Sequence, residues 1–153
     1  MTIRRMKAED VQQAAQIEKA VFSRPWSEDA FAAAVNDGNA LFLVAVERAV
    51  DSRGENADIV VGYIGMYVSA PEGEITNVAV AEPFRGRGFG SGLVHAMQQK
   101  ARELGVNQIF LEVRDSNEAA IRVYSAAGFA EIGKRKGFYE LPREDARVMK
   151  WQE

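Results

Sequence analysis

The apolar positions along the chain fall into blocks with two different periods. Thr2 to Met6 reads as a short first strand. From Ala8 to Phe22 the apolar residues Val11, Ala14, Ala15, Ile17, Val21 and Phe22 recur at helical spacing. Glu9 and Asp10 open that helix, where acidic side chains complement the dipole. Ser23-Arg24-Pro25-Trp26 breaks it, and Ser27, followed by Glu28 and Asp29, predicts the N-cap of a second helix running to about Val35. Asn36-Asp37-Gly38 ends it. Ala40 to Val46 and Ile59 to Ser69 then read as strands, separated by a polar turn from Asp51 to Asp58. Gly62 and Gly65 mark bends in the longer one. Pro71-Glu72-Gly73 predicts a turn, and Glu74 to Val80 the next strand.

The second half switches period again. Gly90 to Leu104 reads as a helix with Leu93, Met97, Ala101 and Leu104 on one stripe, stopped by Gly105. Gln108 to Arg114 alternates as a strand: Ile109, Leu111 and Val113 share one face, and Phe110, Glu112 and Arg114 the other. Asn117 to Ala127 reads as a helix stopped at Gly128. Phe129 to Lys134 and Arg147 to Trp151 predict two final strands, joined by a charged loop through Tyr139, Pro142 and Asp145. Short polar links favour an antiparallel meander. These elements predict one α+β domain over residues 1–153, with a mixed, mostly antiparallel sheet of about seven strands flanked by about four helices.

Composition narrows the chemistry. The chain is 47% hydrophobic with 19 basic and 22 acidic residues, a formal net charge of −3. That is an ordinary globular balance and not the strongly basic one of a nucleic-acid binder. There is no cysteine and a single histidine, His95. Disulfides, thiolate chemistry and multi-histidine metal sites are thereby excluded, and the expectation is an enzyme or binding domain without a metal. The first residues, Met1 to Asp10, lack an apolar targeting segment, and no apolar run reaches the ~20 residues needed to span a membrane. The expected setting is the cytoplasm, as a monomer or weak dimer.

Asn77 to Val94 carries the strongest local signal. An apolar strand end, Val78-Ala79-Val80, breaks at Pro83 and passes through Gly86, Gly88, Gly90 and Gly92, flanked by Arg85 and Arg87, into a helix. Glycines let backbone N–H groups approach an anion, and a helix N-terminus adds free donors and partial positive charge. A P-loop does not fit, because the Gly-Lys-Ser/Thr ending is missing. A dinucleotide fingerprint fits poorly, because the spacing is not G-x-G-x-x-G and no βαβ pattern surrounds it. The alternative reading is a flexible loop that merely joins strand to helix.

Two further residues attract attention. Glu112 is an acid inside the apolar run Ile109 to Val113. Such a carboxylate is either a solvated face residue or a partly desolvated base whose pKa burial raises. Tyr124 lies twelve residues on, in the next helix, as either a core aromatic or a proton donor. His95, within the long helix, reads as structural.

Arg85-x-x-Gly88-x-Gly90 after the strand Val78-Ala79-Val80 resembles the cofactor loop of the GCN5-related N-acetyltransferases. Leu111-Glu112-Val113-Arg114, Ser116-Asn117 with Ala119-Ala120-Ile121 and Tyr124, and Gly128-Phe129 resemble the second half of that family. Pro25-Trp26-Ser27 and Glu144-Asp145-Ala146 are similar to its ribosomal-protein alanine N-acetyltransferases, the RimI type. The resemblance implies acetyl-CoA as co-substrate, with Val78, Ala79 and Val80 pairing with the pantetheine arm. It implies a pyrophosphate cradle at Gly86, Arg87, Gly88, Phe89, Gly90 and Ser91, and a cofactor hydrogen bond from Asn117. It makes Glu112 the general base, through a water, and Tyr124 the general acid toward the leaving thiolate.

The acceptor implied is a protein N-terminal amine, that of the alanine of a small-subunit ribosomal protein, with Tyr139 and Trp26 lining its groove. Where that subgroup often reads Asn-Tyr-Tyr-Pro, this chain reads Gly137-Phe138-Tyr139-Glu140. An α-amine with pKa near 8 is about a tenth neutral at pH 7, so a modest base suffices. The alternatives are an acetyltransferase for lysine side chains or small amines, and a non-catalytic acyl-CoA-binding module, which would need neither Glu112 nor Tyr124.

Overall fold

A computed structural model describes residues 1–153. Its sheet has seven strands: β1 (Thr2–Arg5), β2 (Ala40–Val50), β3 (Asn56–Ser69), β4 (Glu72–Val80), β5 (Gln108–Arg114), β6 (Ala130–Glu140) and β7 (Arg143–Gln152). Their spatial order is β1-β2-β3-β4-β5-β7-β6, and only the β4–β5 pair is parallel. The helices are α1 (Val11–Val21), α2 (Glu28–Val35), α3 (Phe89–Glu103) and α4 (Glu118–Ala126). The α+β architecture and mixed sheet expected from the hydrophobic pattern are present.

Each face of the sheet is covered by its own helices. Ala14, Ile17, Phe31, Phe42, Val44 and Tyr63 form the core under α1 and α2. Leu43, Ile64, Leu93, Met97, Ile109 and Leu111 belong to the larger core under α3 and α4. Gly65 is required by close approach, since a Cβ there would run into the Phe42 ring. The buried stripe of α3 differs from the expected one at its end. Leu104 caps the helix and is exposed, while Phe89 and Val94 are buried.

Several boundaries shift. Ala8–Asp10 is a 3-10 turn before α1. The β2–β3 hairpin is longer than expected, its turn tightened by Asp51 Oδ1, which accepts from the Arg53 and Glu55 N–H groups. The charged loop expected through Tyr139, Pro142 and Asp145 is mostly strand. β6 runs to Glu140 and β7 begins at Arg143, so Tyr139 sits in the sheet, opposite Glu144. Charge alone had suggested a loop there, but the edge strand β6, paired on one side only, tolerates charged side chains on both faces.

The departure that positions the site lies between β4 and β5. They pair only at Glu72–Gln108, Gly73–Ile109 and Glu74–Phe110, then diverge. Against β3, Ile75 lies opposite Met66 and Asn77 opposite Gly65, so Thr76 is an extra residue. This β-bulge bends and twists its strand just where the parallel pairing ends. Beyond it the side chains swap faces: Ile75 packs under α3, whereas Ala79 packs under α1.

Candidate active site

The divergence of β4 from β5 opens a cleft of about 660 Å³, lined from both strands and roofed by the α1–α2 segment and the β6–β7 hairpin. The Ala81 N–H donates to the Val61 carbonyl, so odd-numbered positions of β4 at this end are those bonded to β3. The N–H and C=O groups of Val78 and Val80 therefore point to the open side. The Val80 carbonyl accepts a bond there from Arg85 Nε at 3.1 Å.

Glu112 projects from the face of β5 opposite the α3–α4 core and lines the cleft. Its side chain is 18% exposed and lies 3.2 Å from Arg135 Nε of β6. Burial pushes its carboxyl above the usual carboxylate range, the Glu74 charge adds to this, and Arg135 opposes it. Of the two readings of Glu112, the partly desolvated one describes it.

Tyr124 lines the same cleft from α4, its ring packed at 5.8 Å from Phe129. Burial, then the proximity of Tyr139, raises its hydroxyl above the ordinary phenol range, so it stays protonated at neutral pH. Asn117 is the N-cap of α4. Its Oδ1 accepts from the Ala120 N–H at 3.2 Å, which leaves its Nδ2 group as a donor at the cleft wall.

Tyr139 and Trp26 form opposite walls. The Arg114 guanidinium lies 4.3 Å over the Tyr139 ring and donates to the carbonyls of Leu141 and Pro142, which staples the β6–β7 turn to β5. Burial pushes the Tyr139 hydroxyl up to about 12, with Arg114 opposing and Glu112 and Glu144 adding. Trp26 packs on Phe31 and Phe42 at 5.4 and 5.7 Å while it lines the cleft. At the mouth, Arg24 reaches Glu140 at 2.5 Å and ties the α1–α2 segment to β6.

The glycine loop lies outside this cleft, at the start of α3. Gly86 and Gly88 have φ of +77° and +84°, a region that favours glycine. Gly88 is the residue before α3, and the Gly92 N–H is the first to find a helical acceptor, at the Gly88 carbonyl. The N–H groups of Phe89, Gly90 and Ser91 are the free donors of a helix start. Two expected contributors are committed elsewhere. The Phe89 ring is in the core, and the Arg87 guanidinium stacks on Phe84 and Phe89 and bonds Glu47 at 2.8 Å. Their side chains are therefore not free to meet a ligand. His95 is exposed on α3 and takes no part in the cleft.

The model of the Acetyltransferase (GNAT) family matches residues 10–129. That span runs from the start of α1, through the glycine loop, to the end of α4. The chain belongs to the GNAT acetyltransferase family. Its relatives include a ribosomal protein bS18-alanine N-acetyltransferase of Escherichia coli (strain K12), 31% identical over 97% of this chain and 95% of that protein. The Salmonella typhimurium protein of the same name is 32% identical over the same shares. The crystal structure of the Escherichia coli ribosomal-protein-S18-alanine N-acetyltransferase superposes with a TM-score of 0.80, at 28% identity, over 99% of this chain and 92% of that one. Arabidopsis thaliana NAA60, solved in complex with acetyl-CoA, shares the fold, with a TM-score of 0.86 at 20% identity over 99% of this chain and 97% of that one.

Within this GNAT domain, the cleft also contains residues that sequence reasoning passed over. Glu18 of α1 and Asn77 of β4 are both buried and hydrogen-bonded to each other. A signal existed: Glu18 falls on the stripe of Ala14, Ile17 and Val21, where a charge is out of pattern. Arg135 gave none, because its contact with Glu112 crosses β7. No helix is long and apolar enough to cross a membrane.

Proposed function

We propose that this protein transfers an acetyl group from acetyl-CoA to the N-terminal amine of a protein, and that the N-terminal alanine of ribosomal protein S18 is its acceptor. The observation that carries the reading is one cleft, between diverging β4 and β5, lined by both Glu112 and Tyr124. The names of the bacterial relatives supply the acceptor.

The residues present fit acetyl-CoA. Val78, with its N–H and C=O, and Val80, with its N–H, offer unpaired backbone groups suited to the amides of an extended arm, in the manner of strand addition. Gly86, Arg87, Gly88, Phe89, Gly90 and Ser91 offer a backbone anion cradle at a helix start. Asn117 offers Nδ2. The bound co-substrate supplies an acetyl group activated as a thioester.

The chain's own groups handle binding and protons. Tyr139 and Trp26 hold the acceptor peptide between them. Glu112, through a water, takes the proton that the amine loses. The unbonded N–H of Val80 faces the oxygen on which negative charge develops. Tyr124 gives its hydroxyl proton to the departing sulfur. The thiolate is a modest base, with a thiol pKa of ~8.5, and a tyrosine still protonated at neutral pH can donate to the sulfur as the bond to carbon breaks and regain its proton from solvent.

The test is release of free thiol from acetyl-CoA with a peptide of the S18 N-terminus. The expected result is turnover with the alanine peptide and none with the same peptide already acetylated. Faster turnover on a lysine side chain or a small polyamine would transfer the assignment to those acceptors. Glu112→Gln is expected to lower kcat about a hundredfold or more; full activity in that variant refutes the base role.

A further inference from the structure

Glu18 is a carboxylate in the cleft that the proton transfers above do not use. Only 2% of the residue is exposed, yet it contributes to the cleft lining. Its three partners are all neutral donors. Tyr63 Oη and Asn77 Nδ2 donate to Oε1 at 2.5 and 3.2 Å, and the Trp26 N–H donates to Oε2 at 2.9 Å. No lysine or arginine pairs with it. A carboxylate has about four lone-pair sites, so one on Oε2 is left over. Buried charges are normally paired, and one without a counter-charge in a cleft points to a ligand.

Asn77 provides a second, independent observation. It is 4% exposed and lines the same cleft. Its amide must turn its NH₂ toward the Glu18 carboxylate, because the carbonyl oxygen would be repelled there. Oδ1 is thereby fixed facing away, and it is buried with no partner in the chain. Buried acceptors nearly always have a donor. Together the pair presents an uncompensated negative charge and spare acceptor positions on both residues, against one spare donor, the second Nδ2 hydrogen of Asn77. A cation carrying several N–H groups supplies the missing charge and the missing donors.

We propose that Glu18 and Asn77 form the subsite that binds the acceptor's protonated amine before it reaches Glu112, and that this subsite selects a free N-terminus over a neutral one. The inference rests on the acceptor reading above. An α-amine of pKa near 8 is about nine-tenths protonated at pH 7, so the ammonium is the form that arrives. Such an interaction is made before the chemistry and acts on KM more than on kcat.

Calorimetric titration of the coenzyme A-loaded protein tests this with two peptides. One has the free N-terminal alanine; the other is its desamino analogue, alike but for the missing amine. The wild type is expected to prefer the amine about tenfold or more. Glu18→Gln should bring that ratio to about one with coenzyme A affinity unchanged. Asn77→Ala should reduce the ratio part-way. Tyr63→Phe removes one hydrogen bond to Glu18 but not the charge, and should keep the preference. A wild-type ratio near one, or an unaltered ratio in Glu18→Gln, overturns the subsite. If Glu18→Gln fails to fold, Asn77→Ala decides, and an unchanged ratio there overturns it too. A wild type that binds neither peptide overturns the acceptor reading itself.

Discussion

Arg135 reaches across β7 to within 3.2 Å of the Glu112 carboxylate, although the two residues stand on strands that are not neighbours. Its side chain is 59% exposed against 18% for Glu112. An exposed cation thus opposes the burial and the Glu74 charge that raise the Glu112 carboxyl. The acid limb of kcat/KM should therefore lie above the usual carboxylate range. Arg135→Gln should move that limb to higher pH and Glu74→Gln to lower pH. Both shifts are read from pH–rate profiles, and a limb that moves the other way contradicts Glu112 as the titrating base.

Tyr124→Phe keeps the ring that packs on Phe129 and removes only the hydroxyl. Acetyl transfer should slow about a hundredfold, within the usual range for a lost general acid. The fold and acetyl-CoA affinity should persist. Single-turnover kinetics beside a thermal melt would separate the two effects, and an unchanged rate would remove the tyrosine from the mechanism.

Gly88→Ala isolates backbone conformation. No neighbour lies within 4 Å of the position a Cβ would take, but φ is +84°. An L-residue there costs about 1–2 kcal/mol. The variant should melt a few degrees lower and, because Gly88 leads into the free N–H groups of α3, should bind acetyl-CoA more weakly. Equal affinity in the variant would argue that the cradle does not contact the cofactor.

Asp10 ties the start of α1 to β1. Its carboxylate accepts from Arg4 at 2.7 and 3.0 Å and from the Lys7 N–H at 2.7 Å. Burial pushes its pKa up, but the Arg4 bonds and the Lys7 N–H outweigh that and hold it below the usual value. Its folded pKa is thus below its unfolded one. The stability it contributes is present above the ordinary carboxylate pKa and is lost as pH falls through the depressed folded value. Asp10→Asn should destabilise by about 1–2 kcal/mol, since Arg4 loses the closer of its two carboxylate partners and keeps Asp58 at 3.2 Å. Urea denaturation at neutral and acid pH checks both the size of the loss and its disappearance in acid.

Much of the molecule was legible along the chain. Periodicity separated helices from strands because side-chain burial repeats every 3.6 or two residues and the residues obeyed it. The glycine loop was legible because positive φ at Gly86 and Gly88 demands glycine itself, a local requirement written in residue type. Glu112 stood out as an acid inside an apolar run, whereas Tyr124 stood out only through the family resemblance. The inner half of the β6–β7 hairpin, between Lys134 and Arg147, was misjudged as a loop because its stability comes from strand pairing, which charge composition does not report.

What the tertiary structure decided hinges on Thr76. Simple alternation from Ile75 would put Asn77 and Ala79 on the face under α3. The bulge at Thr76 turns them to the α1 face instead, where Asn77 meets Glu18. The same bulge bends β4 away from β5 and opens the cleft. Residue type and period are local properties, so the sequence by itself determined the elements, the glycine loop and the chemistry of single side chains. Register against a neighbouring strand is not local, so which side chains meet across the cleft, Arg135 with Glu112 and Asn77 with Glu18, was decided only when the sheet assembled.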